Sequence, residues 1–271
     1  MLDAMIANEA AVRISSFLLV LSVMALWEVF AARRPQACRR WVRWPNNLAI
    51  VLLSTLLVRL VFPLAAVGVA IHAAGQGWGI LNRISLPEWG GFILSILVLD
   101  LAVYFQHRGF HALPWLWRLH RMHHADMEFD VTTGLRFHPL EILLSMLIKM
   151  AVVLLIGVPA LAVLVFEVLL NATALFNHGN VRLPQKVDRG LRLLLVTPDM
   201  HRVHHSVIPR ETNSNFGFSV PWWDRLFGTY LAQPEKGHLD MMIGLDDFRT
   251  ERDLRLDQML VQPLRQGHRP G

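Results

Sequence analysis

The sequence predicts an all-α fold: a multi-pass membrane helical bundle with a cytoplasmic, histidine-rich helical cap. Three observations carry this. The chain is 54% hydrophobic and only 17% charged over 271 residues, with mean hydropathy +0.38, which overrides the soluble domains that length alone would suggest. Apolar runs of membrane-spanning length recur along it. Ten of the thirteen histidines lie between residues 107 and 205, in boxes with helical spacing.

The first apolar run, about 14–32 (ISSFLLVLSVMALWEVFAA), is long enough at about 1.5 Å per residue to cross about 30 Å of hydrocarbon. No basic n-region precedes it, so it is expected to stay as an anchor. Glu28 sits near its end, within reach of the interface or a bundle partner. Arg33, Arg34, Arg39, Arg40 and Arg43 follow. Five arginines between two spans place this loop in the cytoplasm by the positive-inside rule and argue against a nucleic-acid partner.

A second span is expected over about 47–72, containing Arg59 and kinked or broken at Pro63, and a third over about 91–106, containing Asp100. Charges at membrane depth are usually paired or functional. Asp100 either pairs with Arg59 or, two turns before His107 on the same face, supports a metal ligand from behind. The loop 73–90, with Arg83 as its only basic residue, belongs outside. The stretch 142–176 divides at Gly157 and Pro159 into two helices carrying Lys149 and Glu167. It reads as an antiparallel hairpin with His138 at one mouth and His178 at the other. The N-terminus then lies outside and every histidine box on the cytoplasmic face. From 179 onward the chain is soluble in character, and the charged tail 246–271 is expected to be solvated or frayed. This gives N-terminal transmembrane helices with a basic loop over 1–90, a catalytic region over 91–232 and a polar tail over 233–271.

The boxes are HRGFH (His107, His111), HRMHH (His120, His123, His124), RFHPLE (His138), FNHGN (His178) and HRVHH (His201, His204, His205). On a helix, residues i, i+3 and i+4 share a face, so HRGFH, HRMHH and HRVHH each aim two or three imidazoles at a common point, while His138 and His178 stand alone in their segments. The adjacent pairs His123–His124 and His204–His205 diverge by about 100°, which suits two metals better than one. Neutral imidazole is a ligand for iron, zinc, copper or nickel. A lone histidine is more often a core or surface residue, but so many titratable rings in an apolar chain would cost stability without a ligand to hold. His72, His238 and His268 have no partner spacing and are expected to bind nothing. Asp100, Asn177 and Asp199 are candidates for supporting the ligands. Of the nine tryptophans, Trp115, Trp117, Trp222 and Trp223 lie beside the boxes, consistent with interfacial anchoring.

Several chemistries are excluded. The single cysteine, Cys38, rules out intrachain disulfides, cysteine-ligated zinc and Fe–S clusters. HRGFH lacks the Glu that follows the first His of a zincin, and no GxSxG, Walker A or GxGxxG motif occurs. What remains is a histidine-rich dinuclear centre facing a membrane lipid. A redox metal suits attack on an unactivated C–H bond with O2, which favours iron over zinc.

HRGFH, HRMHH, FNHGN, TPDMHRVHHS and WWDRLFGTY resemble the fatty acid hydroxylase and sterol desaturase superfamily of membrane di-iron oxygenases. The resemblance covers about 95–232 and rests on the order and spacing of the boxes. TPDMHRVHH followed by WDRLFGT is similar to bacterial sterol-desaturase-like proteins and to alkylglycerol monooxygenases, although the latter carry a Glu where this chain has Ala112. The resemblance implies metal ligation by His107, His111, His120, His123, His124, His201, His204 and His205, with His138 and His178 matching further family histidines. It also implies two iron ions, O2 as co-substrate, and hydroxylation or desaturation of a sterol, fatty-acyl, carotenoid or ether lipid. With no reductase domain in the sequence, electrons are expected from a separate donor (a ferredoxin, cytochrome b5-like protein or reductase), an acidic carrier meeting the basic cytoplasmic face. The competing reading is a non-enzymatic membrane protein that stores or senses metal, which the apolar helices and tryptophans around the boxes disfavour.

Overall fold

The computed structural model describes residues 2–267; His268 lies outside the described residues. The elements in chain order are α1 (Leu2–Ala7), α2 (Glu9–Phe30), α3 (Arg40–Val61), α4 (Ala65–Gly75), α5 (Glu88–Ala112), α6 (Pro114–His124), α7 (Pro139–Ile156) and α8 (Ala160–Asn177). Short helices follow: α9 (Gln185–Leu191), α10 (Pro198–His204), α11 (Pro209–Thr212), α12 (Trp222–Leu226), α13 (Gly237–Asp240) and α14 (Leu256–Val261). Among the described residues only two isolated bridges have β character, Ala32 with Val181 and Ser206 with Ile243. The fold is all-α.

Five segments are long and apolar enough to cross a membrane: α2, α3 with α4, α5, α7 and α8. Their inward residues, including Val58, Leu99, Val153, Val163 and Leu164, form one buried core. Their outward residues, such as Leu19, Leu52, Leu56 and Leu155, are apolar and exposed. A bundle apolar on both sides is one whose solvent is lipid, and the chain is an integral membrane protein.

Local chemistry sets the breaks. Pro63 has no N–H to continue α3 and forces Phe62 out of helical geometry, so the helix stops at Val61 and restarts at Ala65. Gly157, at φ 77°, closes α7 in the left-handed conformation that favours glycine, and Pro159 opens α8. The two helices are not a simple hairpin, because α4 packs against both. They are joined at depth by Lys149 Nζ to Glu167 Oε1 at 2.7 Å, with Arg13 2.9 Å from the other oxygen.

An Arg59–Asp100 pair does not form. Arg59 is exposed and lies near Glu167, whereas the buried Asp100 accepts a hydrogen bond from Trp223 Nε1 at 2.8 Å. A carboxylate buried on α5 takes the donor that packs on its own face.

The arginine loop does more than bias topology. Arg43 is fully buried and donates to both Asp126 oxygens at 2.7 Å and to Asp130 at 2.5 Å. Burial alone would push the Asp126 carboxyl up, but the Arg43 guanidinium holds it below the ordinary range. Glu28 accepts the backbone N–H of Val131 at 2.7 Å and of Asn180 at 2.8 Å. Two spans thus clamp the cap.

The tail is not frayed. Leu254 and Met259 are fully buried, Thr250 and Asp253 form a capping box, and Arg121 donates to the carbonyls of Gln262 and Arg265. The charged residues hid a Leu254–Met259 spacing that puts both against the cap and α3. Nor is the region after 179 uniformly soluble in character: Leu193, Leu194, Trp222 and Leu226 are exposed.

Arg43→Ala leaves two buried carboxylates without their cation and is expected to destabilise the protein by about 3–5 kcal/mol. Removing Arg255, half of an exposed pair with Asp257, should leave the unfolding midpoint unchanged. Denaturation in detergent compares the two, and equal midpoints would refute the clamp.

Candidate metal centre

Nine histidines converge in two groups. His107, His111, His120, His124 and His204 form the first; His123, His178, His201 and His205 form the second. Within each group one nitrogen per residue lies within 4.8 Å of all the others. Ligands on opposite sides of one ion at about 2.1 Å stand about 4.2 Å apart, so each group fits a single metal.

Helical spacing explains the partition. His107 and His111 on α5, and His120 and His124 on α6, are i, i+4 pairs on one face, and both pairs enter the first group. His201 and His205, at the same spacing, enter the second. The i+3 member of each HxxHH box crosses over: His123 goes to the second group and His204 to the first. Each HxxHH box therefore contributes to both groups and links them. All four helices present their C-terminal ends, since α6 ends at His124, α10 at His204, α5 one residue after His111, and α8 is capped by His178. The negative ends of helix dipoles favour a cation there.

Partners behind the rings leave the inner nitrogens free. The Nδ1 atoms of His107, His178 and His204 lie 2.8, 2.8 and 2.7 Å from the carbonyls of Phe216, Ala174 and Ser214. Nδ1 of His120 meets Glu141 Oε1 at 2.7 Å. Each contact assigns the ring proton to Nδ1 and bares Nε2. The Nε2 atoms of His107, His120 and His204 are buried without a hydrogen-bond partner. Others face one another, His111 to His124 at 3.1 Å, and His178 to His123 and His201 at 3.2 and 3.1 Å. Imidazole nitrogens meeting in this way match adjacent positions around one first-row ion, about 3 Å apart. The donor set fits a pair of metals.

One loop orients three rings of the first group. Ser214 and Phe216 supply the carbonyls for His204 and His107, and Asn213 hydrogen-bonds His111. Between them Asn215, at φ 49°, donates to the carbonyls of Met200 and Leu231. Asp224 accepts the N–H groups of Phe216 and Gly217, both at 2.8 Å. Gly134 is required behind the second group, because a Cβ there would stand 2.8 Å from Ala174 O and 3.1 Å from His178 Nδ1.

The site is dry. Phe137 stacks on His123 and Phe129 on His178, while Phe216 edges His107, His111 and His204. Burial, reinforced by neighbouring imidazoles, pushes His123, His124, His201, His204 and His205 well below the ordinary histidine range. Burial likewise lowers His178 to about 4.

The remaining expected residues stand elsewhere. His138 joins neither group, because its ring caps α7, accepting from Leu140 N at 3.2 Å and meeting Leu260 O at 3.2 Å. Glu141, in the same RFHPLE segment, reaches the site instead. The signal was a carboxylate one turn past His138 on a helix opened by Pro139. Asn177 donates to Phe218 O, Asp199 binds Arg33 and Arg202, and Asp100 holds Trp223. The structure shows no hydrogen bond from these three to a ring of either group. His72 packs edge-on to Trp78, and His238 lies 3.6 Å from Asp199.

Residues 92–229, about half of the chain, match the family described as fatty acid hydroxylase. The chain belongs to this family. The matched segment contains all nine converging histidines. Among characterised proteins of related sequence, an ornithine lipid hydroxylase of Rhizobium tropici is 30% identical over 151 residues, 56% of this chain and 45% of that protein. An alkylglycerol monooxygenase of Xenopus tropicalis is 28% identical over 177 residues, 62% and 37%. A very-long-chain aldehyde decarbonylase of Oryza sativa is 30% identical over 146 residues, 52% and 54%. The alignments thus span about half, or less, of these relatives. No solved structure matches the chain significantly.

Acid should unfold this fatty acid hydroxylase family member cooperatively. With folded-state values depressed, the folded chain binds fewer protons than the unfolded one below about pH 6.5. Stability is full above that value and declines as pH falls toward the depressed values. Thermal midpoints of metal-free protein in detergent test this, and a midpoint constant from about pH 7 to about pH 4.5 would contradict it.

Proposed function

We propose that the chain is a membrane-bound di-iron oxygenase that hydroxylates or desaturates a C–H bond of a lipid. The supporting observation is the paired arrangement of nine buried histidines, each group within reach of one ion. His107, His111, His120, His124 and His204 would hold one iron, and His123, His178, His201 and His205 the other. Two bound iron ions supply O2 activation and oxidation of an unactivated C–H bond, with electrons from a separate donor.

The chain's own residues do the rest. Carbonyls and Glu141 behind the rings fix their tautomers, so no side chain need rotate on binding. Phe129, Phe137 and Phe216 exclude water from the reacting volume. Iron is favoured over zinc because the chemistry named by the relatives, hydroxylase and monooxygenase, needs a redox metal. The relatives' lipid names support a lipid substrate reaching the site from the bilayer. A storage protein exchanges its metal with water, which ligands exposed by 5% or less do not serve.

Purified protein made with iron available is expected to hold two irons. His123→Ala and His204→Ala each strip a ligand from a different group, so each should lower bound iron and abolish the conversion. Elemental analysis and lipidomics of a deletion strain, seeking a lipid that loses a hydroxyl or double bond, provide the readouts. One zinc with no effect of iron, or full activity in either variant, would reject the reading.

The histidine groups are further proposed to face the cytoplasm, on the side of the arginine loop, where Arg39 and the part-exposed Arg33, Arg34 and Arg40 offer an acidic electron carrier a cationic surface. Arg210 is exposed, so Arg210→Cys in a Cys38→Ser background should react with an impermeant maleimide only after the cells are opened. Labelling of intact cells would reverse the orientation.

A further inference from the structure

Two segments after the last long span carry an apolar surface that the histidine site does not use. Leu193 and Leu194, at 63% and 61%, follow α9, and Leu226, at 69%, ends α12, with Trp222 and Phe227 also exposed. The segments form one unit: Trp222 Nε1 donates to Leu193 O at 2.7 Å and Arg225 Nη2 to Arg192 O at 3.1 Å.

Their depth follows from α5. Trp223 Nε1 bonds Asp100, and Asp100 lies twelve residues before the end of α5 at Ala112, or about 18 Å along the axis. Phe227 stacks on Tyr104 at 5.4 Å and tilts against Phe105 at 5.0 Å. Phe105 is itself exposed on a segment long and apolar enough to span. α12 therefore lies beside the spanning part of α5, and its apolar residues continue the lipid-facing girdle.

Charge selects the occupant. Across 182–194 and 221–230 the exposed charged residues are Arg182, Lys186, Arg189 and Arg225, while both acids, Asp188 and Asp224, are buried. Apolar residues rimmed only by cations match the interfacial layer of an anionic bilayer. A second copy of the chain would bring the same cations face to face across a two-fold axis, where they repel.

We propose that residues 187–194 and 221–228 form a membrane-embedded surface, with Leu193, Leu194, Trp222, Leu226 and Phe227 in the upper acyl layer and the four cations at anionic headgroups. This does not depend on the reaction catalysed.

Full-length protein with Cys38→Ser and a single nitroxide at Leu194→Cys or Leu226→Cys, in phosphatidylcholine/phosphatidylglycerol nanodiscs, tests it by paramagnetic accessibility. Both labels should be open to O2 and protected from a water-soluble nickel chelate, as a label at the lipid-facing Leu19 is. A label at the exposed Arg252 of the cap gives the aqueous reference. Nickel accessibility equal to that of the Arg252 label overturns the proposal, as does protection from both reagents, the signature of a protein contact. In R182Q/K186Q/R189Q/R225Q the Leu194 label should become shallower in anionic discs and not in pure phosphatidylcholine. An equal depth in wild type and variant in the anionic discs overturns the assignment of anionic lipid.

Discussion

Nine buried imidazoles packed against one another constrain everything else in this protein. Their burial favours the neutral form, and any one that gained a proton would place charge beside eight others. The arrangement is eased where a ring has a partner for one nitrogen and shares a common purpose for the other. Backbone carbonyls and Glu141 meet the first need for four rings. The open Nε2 atoms express the second.

Keeping those partners in register requires a cap that cannot shift on the bundle. The Ala174 carbonyl belongs to α8 and those of Ser214 and Phe216 to the loop before α12, yet all three must converge on the same cluster. The Arg43–Asp126–Asp130 cluster and the Glu28 carboxylate fix the connection after α6 to α2 and α3. Asp224 fixes the loop behind His107 while its neighbour Trp223 grips α5. Buried ionic contacts of this kind add little net stability over apolar packing, but their directionality specifies a single geometry. The protein uses them where orientation matters and leaves the lipid-facing shell to Leu and Val.

The same division separates the two ends of the bundle. Away from the histidines the interior is mostly apolar, with buried Ser54 and Ser95, Asp100 held by Trp223, and the Glu167 cluster with Lys149 and Arg13 as its polar points. At the histidine end, helix C-termini, loops and charges crowd together, and the chain returns alongside α5 through α12. The α12 contacts at Asp100 and Tyr104 and the metal-ligand pair His107 and His111 thus follow one another along the same buried face of α5.

The sequence alone determined what is periodic. Apolar runs of spanning length mark the spans, Pro63, Gly157 and Pro159 mark their breaks, and i, i+3, i+4 spacing predicts that His123 and His124 diverge, because local geometry sets all three. Ligand spacing also marked eight of the ten candidate histidines for one region, while His138 and His178 stand alone in their segments. His138, alone in its segment, gives its ring to the N-terminus of α7; RFHPLE carries both a histidine and a carboxylate, and only the packing of α7 beside α6 decides that Glu141 faces the site. Only tertiary structure decided that Asp100 meets Trp223, that Arg43 is a buried clamp, that the charged tail packs, and that 187–194 and 221–228 come together beside α5. Each of these depends on contacts between residues far apart in the chain, where pairing is set by which faces are left uncovered once the helices have packed, and periodicity carries no record of that.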